Sequence, residues 1–252
     1  MNLRDPFAKV STVDYGQSQA AAYDMGLRSY MLKIYNYMAS ALALTGITAL
    51  FAANSPAVLS ALYQVTETGQ MAGMTGLGWL VAFAPLGMVL WMSLGINRMS
   101  TSTLQISFWS FAVLMGLSLT SIFLMYTGES IARAFFISAG MFGGMSLYGY
   151  TTKKDLSGWG SFLMMGLIGL IIASIVNIFL QSSALMFATS VIGVLIFVGL
   201  TAYDTQRIKA MYYQVAGSAE AMAKASIMGA LSLYMDFINI FIYILRFIGE
   251  RR

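Results

Sequence analysis

Long apolar runs, broken by short polar connections, set the pattern of this chain. About 20 consecutive apolar residues cross a bilayer as an α-helix. Seven runs reach that length: roughly 30–53, 77–97, 103–126, 131–152, 158–180, 184–206 and 226–248. Arg133 stands just inside the fourth run, and the sixth has room to continue past Arg207. Trp79 and Trp159 fall near the starts of runs, where interfacial aromatic side chains belong. The pattern predicts an all-α polytopic membrane protein with seven transmembrane helices, built as one domain over 28–252. Residues 1–27 are polar and mixed in charge, lack the apolar core of a cleavable signal peptide, and are expected to form a flexible cytoplasmic tail.

Composition sharpens this picture. Of 252 residues, 58% are hydrophobic and 10% charged, where soluble domains carry about 25% charged residues. Ten of the fourteen Lys and Arg side chains fall on one side of the predicted topology. They are Arg4, Lys9, Arg28, Lys33, Arg98, Lys153, Lys154, Arg207, Lys209 and Lys224. Basic residues concentrate in cytoplasmic loops, so the N-terminus is expected inside, in the cell (inner) membrane. The net charge of +4 is spread over loops and gives no reason to expect a nucleic-acid partner. Arg246, Arg251 and Arg252 run against the bias if the last segment crosses fully, which is the reading preferred over a re-entrant segment.

The last run carries the most informative pattern. Ser232, Asp236, Asn239, Tyr243 and Arg246 follow one another at steps of four, three, four and three, which places them on one helical face. Lipid cannot satisfy a polar stripe of that length, so this helix is expected at the centre of the bundle. A carboxylate near the middle of an apolar span costs a few kcal/mol on insertion scales and tends to persist where it has a function. Asp236 is such a group. Asp204, near the end of the preceding run, is a second. A seam that only glues helices together is the structural alternative for the stripe, and an ion pair with Arg207 is the alternative for Asp204.

Contact between the two acids depends on depth. Asp236 lies about 15 Å along its helix from Ser226 at 1.5 Å per residue. A sixth helix ending at Gln206 leaves Asp204 too shallow, whereas one continuing to about Met211 removes most of the mismatch. Two carboxylates a few Å apart in a low dielectric do not both ionise easily. They would share a proton in acid, then separate and attract a cation in alkali. With Asn239, backbone carbonyls and water they would offer calcium a loose oxygen set, short of the six to eight ligands of a resident site and suited to an ion that must also leave.

The chain has no cysteine and no histidine. That removes disulfides, thiolate chemistry, imidazole bases and the usual physiological pH switch. No enzymatic activity and no cofactor is expected, with calcium entering only as a transported or transiently bound ion. Arg98, after the second run, is either a basic anchor or a latch pairing with Asp204. Glu67 and Glu129 are either solvated loop acids or an ion entrance. Gly140, Gly143, Gly144 and Gly149 are expected to permit close helix approach, and the twenty methionines to act as adaptable packing.

Thr201-Ala202-Tyr203-Asp204-Thr205-Gln206, followed by Leu233-Tyr234-Met235-Asp236-Phe237-Ile238-Asn239, resembles the Bax inhibitor-1 family of transmembrane proteins in its prokaryotic form. The stretch from Arg28 to Ala39 is similar to that family's opening. The resemblance implies seven helices with the last one central, wrapped by two groups of three. It also implies a pH-dependent calcium leak governed by paired aspartates, matched here by Asp204 and Asp236, with Arg98 as latch by position only. The functional expectation is therefore a pH-sensitive cation leak, with the bilayer and calcium ions as its partners and Ser232, Asn239 and Tyr243 as accessory polar lining. Some bacterial relatives are tied instead to a membrane-bound AAA protease. That makes a regulatory binding protein of membrane quality control the alternative, with residues 1–27 as the contact.

Two further classes fit less well. An intramembrane aspartyl protease would also carry acids on neighbouring helices, but Leu233-Tyr234-Met235 precedes Asp236 where a Gly-x-Gly-Asp motif would be needed. A retinal protein would need a lysine on the last helix.

Overall fold

The computed structural model describes the backbone of residues 10–65 and 71–251, and side chains over 25–64 and 73–251. Seven helices are long and apolar enough to cross a membrane. The first, α1 (Val10–Ala53), has its apolar span at Met25–Ala53. A short helix α2 (Pro56–Leu62) and a hairpin of β1 (Tyr63–Val65) and β2 (Met71–Met74) follow, with Tyr63 paired to Met74. Next come α3 (Gly76–Gly95), then α4 (Thr101–Ser118), which continues after a break at Leu119 into α5 (Thr120–Met125). The bundle is completed by α6 (Gly128–Thr151), α7 (Ser157–Leu180), α8 (Ser183–Val215) and α9 (Ala219–Ile248).

Hydroxyl side chains fix where most of these helices begin. Thr75, Ser100, Thr127, Ser182 and Ser218 each accept a hydrogen bond from the backbone N–H three residues ahead. Such caps satisfy donors that a helix start leaves free. Gln181 turns the chain between α7 and α8 with a φ of 48°, its N–H bonded to the Asn177 carbonyl at 2.8 Å.

Two expected boundaries shift. The sixth segment does not stop at Gln206 but runs helical to Val215, and the last begins at Ala219. The expected 207–225 loop is therefore a short turn at 216–218 between two long helices. Lys209 explains part of this, since its Nζ donates to the Tyr150 carbonyl at 2.8 Å and lies over the Tyr150 ring at 5.0 Å. An extended cationic stem can thus stay in the bundle with its head satisfied. The 54–76 connection, left without structure by the apolar pattern, contains α2 and the hairpin.

As its polar stripe requires, α9 is the central helix. Of its most apolar stretch, 67% is buried, against 11% for α7. It packs on α8 most extensively and also on α1, α4 and α6. Thr45 of α1 lies under this packing, donating to the Ala112 carbonyl of α4 at 2.8 Å. Its only proton is then used, so the Tyr234 hydroxyl of α9 donates to Thr45, at 2.7 Å. One buried hydroxyl pair thus ties three helices.

The expected close approaches within α6 occur at one glycine of four. A Cβ on Gly149 would fall 2.3 Å from the Ala202 carbonyl oxygen of α8, while Gly140, Gly143 and Gly144 face open space. α6 crosses α8 at its Gly149 end, so close approach is needed only there.

The chain's last residues close the other end of the bundle. Glu250 accepts from the Thr127 N–H at 3.1 Å and donates its own N–H to Ser130 at 3.0 Å. α9 therefore runs the full depth of the bundle, from the basic end, where 96–100, 152–156 and 216–218 gather, to the end that holds the hairpin.

Candidate functional site

α8 and α9 lie side by side and carry the two acids on facing surfaces. Asp236 is buried, 4% exposed, and feels the charges of both Asp204 and Arg207. Asp204 is largely covered, its side chain 13% exposed, with Oδ1 3.2 Å from Nη2 of Arg207. The same Arg207 nitrogen donates to the Ser232 hydroxyl at 3.3 Å, one turn before Asp236 on α9. The Arg207 guanidinium also lies 5.7 Å from the Tyr203 ring centroid. Arg207 thus straps the Asp204 turn of α8 onto α9 just below Asp236.

The extension of α8 past Arg207 makes this possible, because it carries Asp204 deep enough to face the next helix. One oxygen, Oδ2 of Asp236, has no hydrogen-bond partner among the described residues. A buried polar atom without a partner costs roughly 1–3 kcal/mol.

A cleft of about 740 Å³ opens at the basic end, between the end of α3, the last turns of α8 and the first half of α9, and reaches as far as Arg207 and Ser232. Asn97, Arg207, Lys224 and Ser232 supply its polar wall, and Ile208, Met211 and Met228 its apolar one. Lys224 is paired with Glu220 at 2.8 Å.

The remaining candidates take separate positions. Arg98 is exposed in the turn after α3, its N–H bonded to the Gly95 carbonyl at 2.9 Å. No ion pair reaches it among the described residues, and Asp204 has Arg207 as its partner instead. Asn239 donates its amide to the Met235 carbonyl of its own helix at 2.8 Å, which leaves its oxygen as the group on offer. Tyr243 lies further along the same face, against α7 and α8. Glu129 pairs with Arg133 at 2.8 Å in the exposed first turn of α6. Glu67 lies outside the described residues, as do residues 1–9 of the expected tail.

The oxygens around the two acids are few for a resident calcium ion. Two carboxylates, a serine hydroxyl and an amide oxygen fall short of calcium's six to eight ligands unless water completes the shell. Among the described residues no group of three or more acids gathers at one point.

Sequence reasoning missed the seat that holds Tyr243: Gly193 and Phe197 of α8, and Ser174 of α7. A glycine and a phenylalanine in an apolar run carry no polar signal. Only the packing of α8 on α9 reveals them.

Six apolar helices around a buried, acid-bearing central one define a polytopic helical membrane protein. The chain belongs to the Bax inhibitor family, matching the family described as inhibitor of apoptosis-promoting Bax1 over residues 27–252. It is 53% identical over 235 residues to the uncharacterized protein RP147 of Rickettsia prowazekii, covering 93% of this chain and 95% of that one. It is also 47% identical over 228 residues to the inner membrane protein YbhL of Escherichia coli K12, covering 90% and 94% of the two chains.

Proposed function

We propose that this protein is a pH-sensitive leak for cations, calcium first among them, in the inner membrane, with its N-terminus and basic end in the cytoplasm. The observation that carries this reading is the placement of Asp204 and Asp236 on the adjoining helices α8 and α9, with Oδ2 of Asp236 buried and unpartnered among the described residues and a cleft reaching Arg207 and Ser232 beside them. In acid a shared proton neutralises the pair and holds the two helices together. In alkali both acids charge, repel one another and draw a cation out of the cleft. The inner-membrane assignment is supported by the similarity to the Escherichia coli protein, and the orientation by the gathering of Lys and Arg at one end.

Calcium flux into proteoliposomes, measured across pH for the wild type beside Asp204→Asn and Asp236→Asn, tests this function. Flux that rises with pH in the wild type and loses that dependence in both variants is the expected result. The same flux and the same pH profile in all three proteins would reject it.

A further inference from the structure

Tyr243 stands seven residues beyond Asp236 on the same face of α9, about 10 Å further from the cleft at 1.5 Å per residue. Its ring lies against α8, at Gly193 and Phe197. That ring is held from several directions. α8 has no side chain at Gly193, where a Cβ would come within 2.8 Å of three ring atoms. One turn along α8, Phe197 stacks on the ring with centroids 6.0 Å apart and planes at 26°. The Tyr243 hydroxyl is hydrogen-bonded to Ser174 of α7, whose own proton goes to the Leu170 carbonyl at 2.8 Å. The tyrosine is therefore the donor in that bond. Beyond the ring, the Arg246 guanidinium lies 5.7 Å from its centroid and is itself exposed.

We infer that Tyr243, seated in the notch at Gly193, is the plug that closes the path between the acid pair and the end of the molecule opposite the cleft. This rests on the conduction reading above and names the element that limits it. A bare packing role would not need the notch, since a smaller apolar residue would fill the seam without removing a side chain from α8. The arrangement instead places a large flat ring across the seam and anchors its tip on a third helix. Its outer side carries a positive charge, which disfavours cations entering from that side. Opening then requires either rotation of the ring out of the notch or separation of α8 from α9, the movement that charging the two acids promotes.

Two measurements on the full chain test this inference. The first is calcium flux for Tyr243→Ala and Tyr243→Phe beside the wild type. Removing the ring should raise the leak by roughly tenfold or more at every pH, as expected for lowering a barrier in the path. It should leave the dependence on Asp236 in place. Tyr243→Phe keeps the ring and loses only the Ser174 anchor, so it should fall between the two.

The second uses the absence of native cysteine and does not depend on flux. Asn239→Cys, between the plug and the acid pair, should react slowly with a charged thiol reagent added at the Arg246 end. The same cysteine should react quickly when combined with Tyr243→Ala. Equal labelling in both backgrounds, or a measurable wild-type flux left unchanged by Tyr243→Ala, would overturn the plug. Absence of flux from every protein, with labelling still controlled by Tyr243, would remove the conduction reading while upholding the plug as the water barrier.

Discussion

Gly149 of α6 lies directly against the Ala202 carbonyl of α8, so close that a Cβ would fall 2.3 Å from the oxygen. The obstacle is backbone, which cannot rotate aside as a flexible side chain can. Gly149→Ala must therefore push the two helices apart, at about 1–3 kcal/mol for overpacking. Gly143, on the same helix, faces open space. There Gly143→Ala should be neutral or stabilising by up to about 1 kcal/mol, because alanine costs less to order in a helix. Thermal unfolding of the two variants in detergent checks the contrast, and equal effects would mean that α6 and α8 do not cross at Gly149.

The Thr45–Tyr234 pair makes a second contrast. Tyr234→Phe removes one hydroxyl and leaves Thr45 still donating to Ala112, so the loss should be about 1 kcal/mol. Thr45→Val keeps the shape but strands the Tyr234 hydroxyl in a buried site and removes the second hydrogen bond to the Ala112 carbonyl, which keeps its bond within α4. The cost there should reach about 2–3 kcal/mol. Unfolding measurements on both variants should give that order, with the threonine the more sensitive position.

Much of this fold was legible in the apolar pattern, and the exceptions have physical causes. Transmembrane helices are set by length and hydropathy, so all seven are evident from the runs alone. The central place of α9 follows from a polar stripe that lipid cannot satisfy. The extension of α8 to Val215 was left open, because Arg207 and Lys209 also read as the end of a span until Ser232 and the Tyr150 carbonyl are seen as their partners; the Arg207–Asp204 ion pair was legible as an alternative. The acid pair was visible as residues on neighbouring helices, but not the strap between them. Gly149 and Gly143 look alike in sequence, since what separates them is another helix. The Tyr243 seat is hidden for the same reason.

Asp155 offers a test of local electrostatics outside the membrane spans. Its carboxylate accepts from the Ser157 N–H at 2.9 Å at the start of α7. Hydrogen bonds from the Ser157 side chain and backbone hold its pKa below the usual carboxylate value. A depressed folded-state pKa contributes stability that is present above the unfolded value and is lost as pH falls through the folded one. Asp155→Ala should therefore lower the unfolding temperature slightly near neutral pH. The difference from wild type should shrink as the medium is taken below the ordinary carboxylate range. A difference that stays constant into strong acid would mean that the charge of Asp155 plays no part in capping α7.

Asp236 gives the sharpest prediction, because stability and function should move in opposite directions. Its carboxyl is buried on the most enclosed helix of the bundle, and Oδ2 has no partner among the described residues. Replacing a buried, incompletely satisfied acid by an apolar side chain of similar volume is often neutral or stabilising. Asp236→Leu should therefore raise the unfolding temperature, by an amount corresponding to about 1–3 kcal/mol, while abolishing pH-dependent flux. If Asp236 were instead a structural hydrogen-bonding group tying α9 to its neighbours, the same substitution would lower stability. Parallel unfolding and flux measurements on Asp236→Leu separate the two cases by sign. A protein that is both less stable and inactive would assign Asp236 to the framework rather than to the ion path.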